Sequence, residues 1–232
     1  PITFVSDGLL TMRALEEGVM RSFVSRNSAD MTHALAYRIA QYIRARLGTV
    51  RKVTVAFSGT LPLPIFTALA SERLDWSRVT VTLVDEHIVP IASFESHSRL
   101  IQDTLLRGQA ATAAFEPIKV FNNRCVRGSL DLANALYMQP DVVVLGMGMD
   151  GRLGLITSNS LDLEFALSGR PEPGSVAVPS PPCPVSPITL NLSAILSARP
   201  LFLAIPGDRK AVVVENDVDS GGALTLKKKK QI

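Results

Sequence analysis

The chain has 232 residues, of which 47% are hydrophobic, and this is enough to bury at least one large core. Its net charge of +3 is too small to indicate a nucleic-acid partner, and the four lysines at 227–230 are typical of a solvated tail. No secretory leader is expected. The sequence has no apolar run of about 18 residues, which argues against a membrane span. Two cysteines, Cys125 and Cys183, are too few for a disulfide scaffold and indicate free thiols. We therefore predict a cytoplasmic protein.

Two helices are predicted at the start of the chain, within residues 8–47. Ser28 or Asp30 is predicted to cap the second helix, and Gly48 to end it. Apolar residues recur at the spacing of one helix face in both segments: Leu9, Met12, Leu15, Val19 and Phe23 in the first, and Leu35, Ile39, Tyr42, Ile43 and Leu47 in the second.

From residue 53 onward the pattern alternates between short β-branched runs and helical segments. This alternation predicts an α/β fold of three layers, in which a mostly parallel, Rossmann-like sheet carries helices on both faces. We expect one domain over residues 1–232, with an irregular proline-rich excursion at 171–187 around a short strand at 176–178, and an atypical tail at 220–232. The predicted strands are 53–57, 79–84, 141–145 and 200–205, and the predicted helices are 64–73, 98–106, 129–138 and 208–216.

Three loops that follow predicted strands differ in chemical character. Ser58-Gly59-Thr60 offers hydroxyls and backbone N–H groups ahead of a helix, which suits a phosphate. Asp85-Glu86-His87 offers two carboxylates and an imidazole, which suits acid–base work or recognition of hydroxyls. The glycine-rich loop 146–152 lets the backbone approach a ligand closely. Because such loops share one edge of a parallel sheet, we predict a single site assembled from all three.

Five segments in this order resemble the 6-phosphogluconolactonases, within the larger group that includes glucosamine-6-phosphate deaminase. They are similar to that family's phosphate loop, its Asp-Glu-Arg-x-Val-Pro segment, a Ser-Asn helix start, its Gly-Met-Gly-x-Asp-Gly-His loop, and a later strand and helix. The segments are VTVAFSGTLPLP (53–64), LDWSRVTVTLVDEHIVP (74–90), ESHSRLIQDTLL (95–106), DVVVLGMGMDG (141–151) and ITLNLSAILSAR (188–199).

The departures from this family pattern fall on site positions. Thr60 replaces the second glycine of a phosphate loop that is one residue short, His87 replaces an arginine, and His97 replaces an asparagine. Ile188 stands where a basic residue is usual. Arg152 stands where the family has the histidine believed to activate water, and an arginine, with a pKa above about 12, cannot act as that base.

The resemblance implies hydrolysis of 6-phosphoglucono-1,5-lactone to 6-phosphogluconate, without a metal or other cofactor. We expect a small sugar phosphate as the partner, and a monomer or a homodimer. His87, His97 or Asp85 are the candidates to replace the missing base, while Arg152 is able to bind phosphate or an oxyanion. The implied catalytic positions are Asp85, Glu86, His87 and Arg152, and the implied substrate- or phosphate-binding positions are Ser58, Gly59, Thr60, Ser96, His97, Arg99, Gly148, Asp150 and Gly151.

Three alternatives stay open on the sequence. One is a catalytically impaired relative that binds sugar phosphate without turnover, and another is a sugar-phosphate isomerase or deaminase. The third is a dinucleotide-binding protein, because residues 146–151 fit Gly-x-Gly-x-x-Gly. That fingerprint should open a helix after the first strand of its unit, whereas 152–160 is not helix-like.

Overall fold

A computed structural model of the chain describes residues 2–6, 20–24, 27–121, 125–147, 152–157, 160, 163–168, 172–178 and 187–205, with 2–6 and 20–24 described as backbone. Within these ranges the strands are β1 (Ile2–Ser6), β2 (Met20–Val24), β3 (Val53–Phe57), β4 (Val79–Leu83), β5 (Asp85–His87), β6 (Ala114–Phe115), β7 (Val142–Gly146), β8 (Ser175–Ala177), β9 (Pro187–Leu190) and β10 (Leu201–Ile205). The α-helices are α1 (Ser28–Leu47), α2 (Leu63–Ala70), α3 (His97–Thr104), α4 (Val126–Ala135), α5 (Leu163–Leu167) and α6 (Leu192–Ser197).

Seven strands form one parallel sheet in the order β2-β1-β10-β7-β3-β4-β6. A second, antiparallel sheet has the order β5-β9-β8. The central strands are short and buried along their whole length, as expected when helices cover both faces of a parallel sheet. The predicted α/β fold with a mostly parallel sheet is confirmed.

Alternate residues of the central strands face two different hydrophobic clusters. Val55 of β3 packs into the cluster that also holds the apolar faces of α1 and α2, whereas Ala56 packs into the cluster that holds α6. This is the period-two alternation of a strand, and it places helices on both sides of the sheet. The three layers predicted from the sequence are therefore present.

Several predicted elements are confirmed with shifted ends, and others are wrong. The second predicted helix is α1, but its cap is Asn27, whose side chain accepts from the Asp30 N–H at 2.8 Å, and not Ser28 or Asp30. Gly48 ends it, as predicted. Residues 20–24 are strand β2 and not the end of a first helix, because their backbone pairs with β1; residues 8–19 lie outside the described ranges. The predicted loop 85–87 is the short strand β5, because its backbone pairs with β9.

The chain order of the strands creates a crevice at one place in the sheet. From β3 the chain moves outward to β4 and β6, then returns to β7 on the other side of β3 and continues outward to β10. Such a reversal opens the sheet at the carboxyl ends of the strands, where α/β proteins bind their ligands. The loops after β3, β4 and β7 all lie at this edge.

Candidate active site

Asp85 stands at the centre of the site and ties the loops together. Its carboxylate accepts from the Ser58 hydroxyl at 2.7 Å and from the Gly59 N–H at 2.9 Å, so the loop after β3 is bound to the residue that follows β4. The loop after β7 closes over the same group: a Cβ on Gly154 would lie 2.4 Å from Asp85 Oδ2. With φ at +57°, position 154 favours glycine for its backbone as well as for this close approach.

His97 forms a buried ion pair with Asp85. Its Nδ1 lies 2.8 Å from Asp85 Oδ1 and 2.9 Å from the Asp85 backbone oxygen, so Nδ1 carries a proton and donates it. The ring also covers Gly59, where a Cβ would be 2.1 Å from His97 Cγ. Burial by itself would lower the pKa of His97, but the hydrogen bond and charge of Asp85 outweigh it and raise that pKa to about 9. Burial likewise acts to raise the pKa of Asp85, and its bonds to His97, Ser58 and Gly59 bring it below the usual value instead.

This pair makes stability depend on pH in a defined direction. Because the pKa of His97 is about 9 in the folded chain against 6.5 unfolded, the folded state binds more protons between these values. The free energy of unfolding is therefore expected to fall as pH rises from about 6.5 to about 9, by at most about 3 kcal/mol. Urea midpoints across this range measure the effect, and a His97→Asn variant should lose most of the slope. Equal slopes in the two proteins would contradict the assignment to His97.

Glu86 holds the start of helix α3. One carboxylate oxygen accepts from the His87 and His97 N–H groups, both at 2.8 Å. The other accepts from the Ser98 N–H at 2.8 Å and from the hydroxyls of Ser98 at 2.5 Å and Ser96 at 3.2 Å. A carboxylate satisfies N-terminal helix amides and is favoured by the helix dipole. Five donors leave little acceptor capacity on Glu86 for a substrate.

His87 faces the His97 ring at a centroid distance of 4.9 Å and an interplanar angle of 63°. Its Nδ1 lies 2.9 Å from the Glu95 carbonyl oxygen. A carbonyl only accepts, so Nδ1 carries the proton, and in the neutral ring the lone pair is on Nε2. In this tautomer the half-buried His87 presents Nε2 as a proton acceptor beside the more deeply buried His97.

The amide groups of the predicted phosphate loop already have acceptors in the protein. Gly59 N donates to Asp85, Thr60 N to the Ser58 hydroxyl at 3.2 Å, and Leu61 N to the Ser58 carbonyl at 3.3 Å. The Thr60 hydroxyl lies 2.8 Å from that of Ser58. An anion at this loop would therefore have to rely on hydroxyls and on basic side chains from elsewhere, or displace these bonds.

The other predicted site residues are placed differently. Ser96 caps α3, accepting from Arg99 N at 3.3 Å, and joins the Glu86 cluster. The Arg99 side chain bonds to the Ala92 carbonyl at 2.5 Å and to Asp103 at 3.3 Å, near the surface. Arg152 is exposed, two residues before the glycine that contacts Asp85. Gly148, Asp150 and Gly151 lie outside the described residues.

Two site residues were not singled out from the sequence. Ser98 donates twice to Glu86, and its position at a helix start was the available clue. Gly154 lies against Asp85, and only its place shortly after the glycine-rich loop pointed to it. Residues 152–157 form a turn and isolated bridges between Met147, Leu153 and Ile156. A dinucleotide fingerprint requires a helix there, so the structure argues against that alternative.

The sequence showed no set of metal ligands at a regular spacing, but the fold brings three candidates together. One ligand atom from each of Glu86, His87 and His97 lies within 4.8 Å of the other two. The spacing of these three residues along the chain matches no regular ligand motif. The turn between β5 and the start of α3 brings them together.

A carboxylate and two imidazoles at the carboxyl edge of a parallel sheet, beside a glycine loop, define an α/β protein with an enzyme-like polar site. The sequence profile of glucosamine-6-phosphate isomerases/6-phosphogluconolactonase matches residues 26–224. The chain belongs to this family. In the described ranges no helix has the length and apolar character to cross a membrane.

Relatives and solved structures agree with this assignment. The chain is 31% identical to a 6-phosphogluconolactonase from Neisseria meningitidis over 194 residues, which cover 82% of this chain and 84% of the relative. It is 32% identical to one from Pseudomonas aeruginosa, covering 79% of each. A crystal structure of a 6-phosphogluconolactonase from Shewanella baltica superposes with a TM-score of 0.73 at 32% identity, covering 87% and 86%. A monomeric glucosamine-6-phosphate deaminase, at 19% identity and a TM-score of 0.58, shares the fold.

Proposed function

We propose that the chain hydrolyses 6-phospho-D-glucono-1,5-lactone to 6-phosphogluconate. The observation that carries the proposal is identity above 30% to 6-phosphogluconolactonases over about four fifths of both chains, against 19% to the deaminase. The site supports it, because lactone opening needs a proton acceptor for water, a donor for the developing oxyanion and an anchor for the phosphate. No residue of this set has to hold a metal or an organic cofactor.

The two facing imidazoles supply the acceptor and the donor. His87 takes a proton from water on its free Nε2, and the resulting hydroxide attacks the lactone carbonyl. His97, kept protonated by Asp85 at neutral pH, donates from Nε2 to the oxyanion and then to the ring oxygen that leaves. Water and lactone thereby give one hydroxy acid, and no other reactant is consumed.

The remaining site residues position these groups and hold the phosphate. We assign positioning roles to Asp85, which orients His97 and the loop after β3, and to Glu86, which holds both histidine amides. At position 87 the family pattern has an arginine and this chain has His87, and at position 152 the pattern has a histidine and this chain has Arg152. We infer that the two positions have exchanged roles. We assign Arg152 to the phosphate or an oxyanion. The other residues proposed to bind substrate are Ser58, Gly59, Thr60, Ser96, Arg99, Gly148, Asp150 and Gly151.

Lactone hydrolysis, measured against the spontaneous reaction, tests the function and the base together. The parent chain is expected to accelerate hydrolysis, and His87→Gln to lower kcat by about 10²- to 10⁴-fold, since a positioned base contributes that much. His33→Gln is the matched control, because His33 is exposed on α1 and should leave kcat unchanged. Adding Arg152→His to His87→Gln is expected to restore part of the rate by returning a base to position 152.

Other outcomes separate the alternatives. Acceleration that survives His87→Gln would place the base elsewhere while leaving the lactonase in place. A parent chain without acceleration that still binds 6-phosphogluconate in calorimetry would favour a binding protein without turnover. We further propose that the protein acts in the cytoplasm as a monomer or a homodimer. Size-exclusion chromatography with light scattering measures the oligomeric state directly.

A further inference from the structure

We propose that His87 and His97 form a binding site for a divalent d-block cation such as Zn²⁺, Ni²⁺ or Cu²⁺. Imidazole nitrogen is a preferred ligand of these ions. The proposal goes beyond the lactonase reaction, and it does not depend on that reaction, because binding can be measured without substrate. The two histidines are the ligands, while Glu86 keeps its place at the start of α3.

The first argument is that both imidazoles are already oriented as metal ligands usually are. A metal-binding histidine commonly donates its other N–H to a carboxylate or a backbone carbonyl, which fixes the tautomer and the ring orientation. His97 Nδ1 lies 2.8 Å from Asp85 Oδ1, and His87 Nδ1 lies 2.9 Å from the Glu95 carbonyl oxygen. Both interactions leave Nε2 as the nitrogen available to an external ion.

The second argument is that one group holds both histidines at their backbones. The same oxygen of Glu86 accepts the N–H groups of His87 and His97, each at 2.8 Å. The rings then stand 4.9 Å apart, and one ligand atom from each of the three residues falls within 4.8 Å of the others. Two nitrogens on one tetrahedral zinc lie about 3.3 Å apart, given bonds of about 2.0–2.1 Å. We expect side-chain rotation of the two rings to bring one nitrogen of each to that separation.

Glu86 is not a direct ligand, and this limits the affinity of the site for the ion. Its two oxygens already accept five hydrogen bonds, and ligation would strip buried amides of their acceptor. A site of two imidazoles keeps its other coordination positions for water or an oxygen ligand, as open metal sites do. The ion also has to displace the proton that Asp85 favours on His97. We therefore expect reversible binding of one ion.

Calorimetric titration of the tag-free protein with NiCl₂ or ZnCl₂ tests the site. All proteins carry Cys125→Ser and Cys183→Ser, so that the two thiols do not bind the ion. We expect one saturable equivalent, and a loss of affinity of at least about tenfold in His87→Gln and in His97→Asn. His33→Gln, at the third histidine of the chain, is the matched control and should bind like the parent.

Absence of saturable binding, or an affinity that survives the loss of either ring, would overturn the site. Because His97→Asn also removes a buried ion pair, a second measurement uses the same cysteine-free protein with both histidines in place. The electron paramagnetic resonance spectrum of the one-equivalent Cu²⁺ complex should show hyperfine coupling to two imidazole nitrogens. Coupling to one nitrogen or to none would reject the two-histidine site even if the His97 variant fails to fold.

Discussion

Replacing Asp85 with asparagine is expected to lower kcat/KM for lactone hydrolysis by about 100-fold or more, and to bring the pKa of His97 down from about 9. Asp85 is completely buried, and its carboxylate accepts hydrogen bonds from Ser58, Gly59 and His97. The amide has the same shape but no charge, so the proton on His97 loses its partner. The donor for the oxyanion is then neutral at assay pH, and the loop after β3 is held less firmly.

The measurement combines steady-state kinetics with an NMR titration of the His97 ring. Asp103→Asn is the matched control, because Asp103 is half exposed and its ion pairs within the described residues are with surface arginines on its own helix and the turn after it. A surface pair of this kind contributes about 1 kcal/mol or less, so little change is expected. If the pKa of His97 fell while kcat/KM stayed at the parent value, His97 would be removed from the mechanism and Asp85 would have a structural role only.

Replacing Glu86 with alanine is expected to lower the free energy of unfolding by about 3 kcal/mol or more. The change leaves the N–H groups of His87, His97 and Ser98 without their acceptor in a buried place. Each such group costs about 1–3 kcal/mol, and the start of α3 also loses its negative charge. Against a usual total of about 5–15 kcal/mol, this is a large fraction of the stability.

Urea unfolding at constant m-value measures this loss. Glu116→Ala is the control, because Glu116 is exposed and its backbone N–H, which the substitution keeps, donates to the Val81 carbonyl oxygen. A change within about 0.5 kcal/mol is expected. A Glu86→Ala protein with the stability of the parent would contradict the view that this carboxylate is mainly a helix anchor. It would return Glu86 to the list of groups available to the substrate.

The fold was largely predictable because its signals are local. Buried parallel strands are short and β-branched, as in Val53–Phe57 and Val142–Gly146, and amphipathic helices repeat at a fixed spacing, as in Ser28–Leu47. Strand Met20–Val24 was mistaken for helix because its pairing with Ile2–Ser6 is a contact between segments that no local pattern encodes. Asn27 was missed as the cap because three residues within four positions, 27, 28 and 30, all offer suitable side chains.

By itself the sequence determined the α/β class and the family, and it singled out the three segments of the candidate site, because these follow from hydrophobic periodicity and from motifs of adjacent residues. Only the tertiary structure decided how the site residues are used. Asp85 and Glu86 are neighbours in the chain, yet Asp85 binds His97 and the loop after β3, while Glu86 accepts the backbone N–H groups at the start of α3. Side chains on adjacent residues of a strand point to opposite sides. Asp85 therefore meets the loop after β3, whereas Glu86 meets the start of α3. The same packing sets the two histidine rings edge to face, although nine residues separate them in sequence.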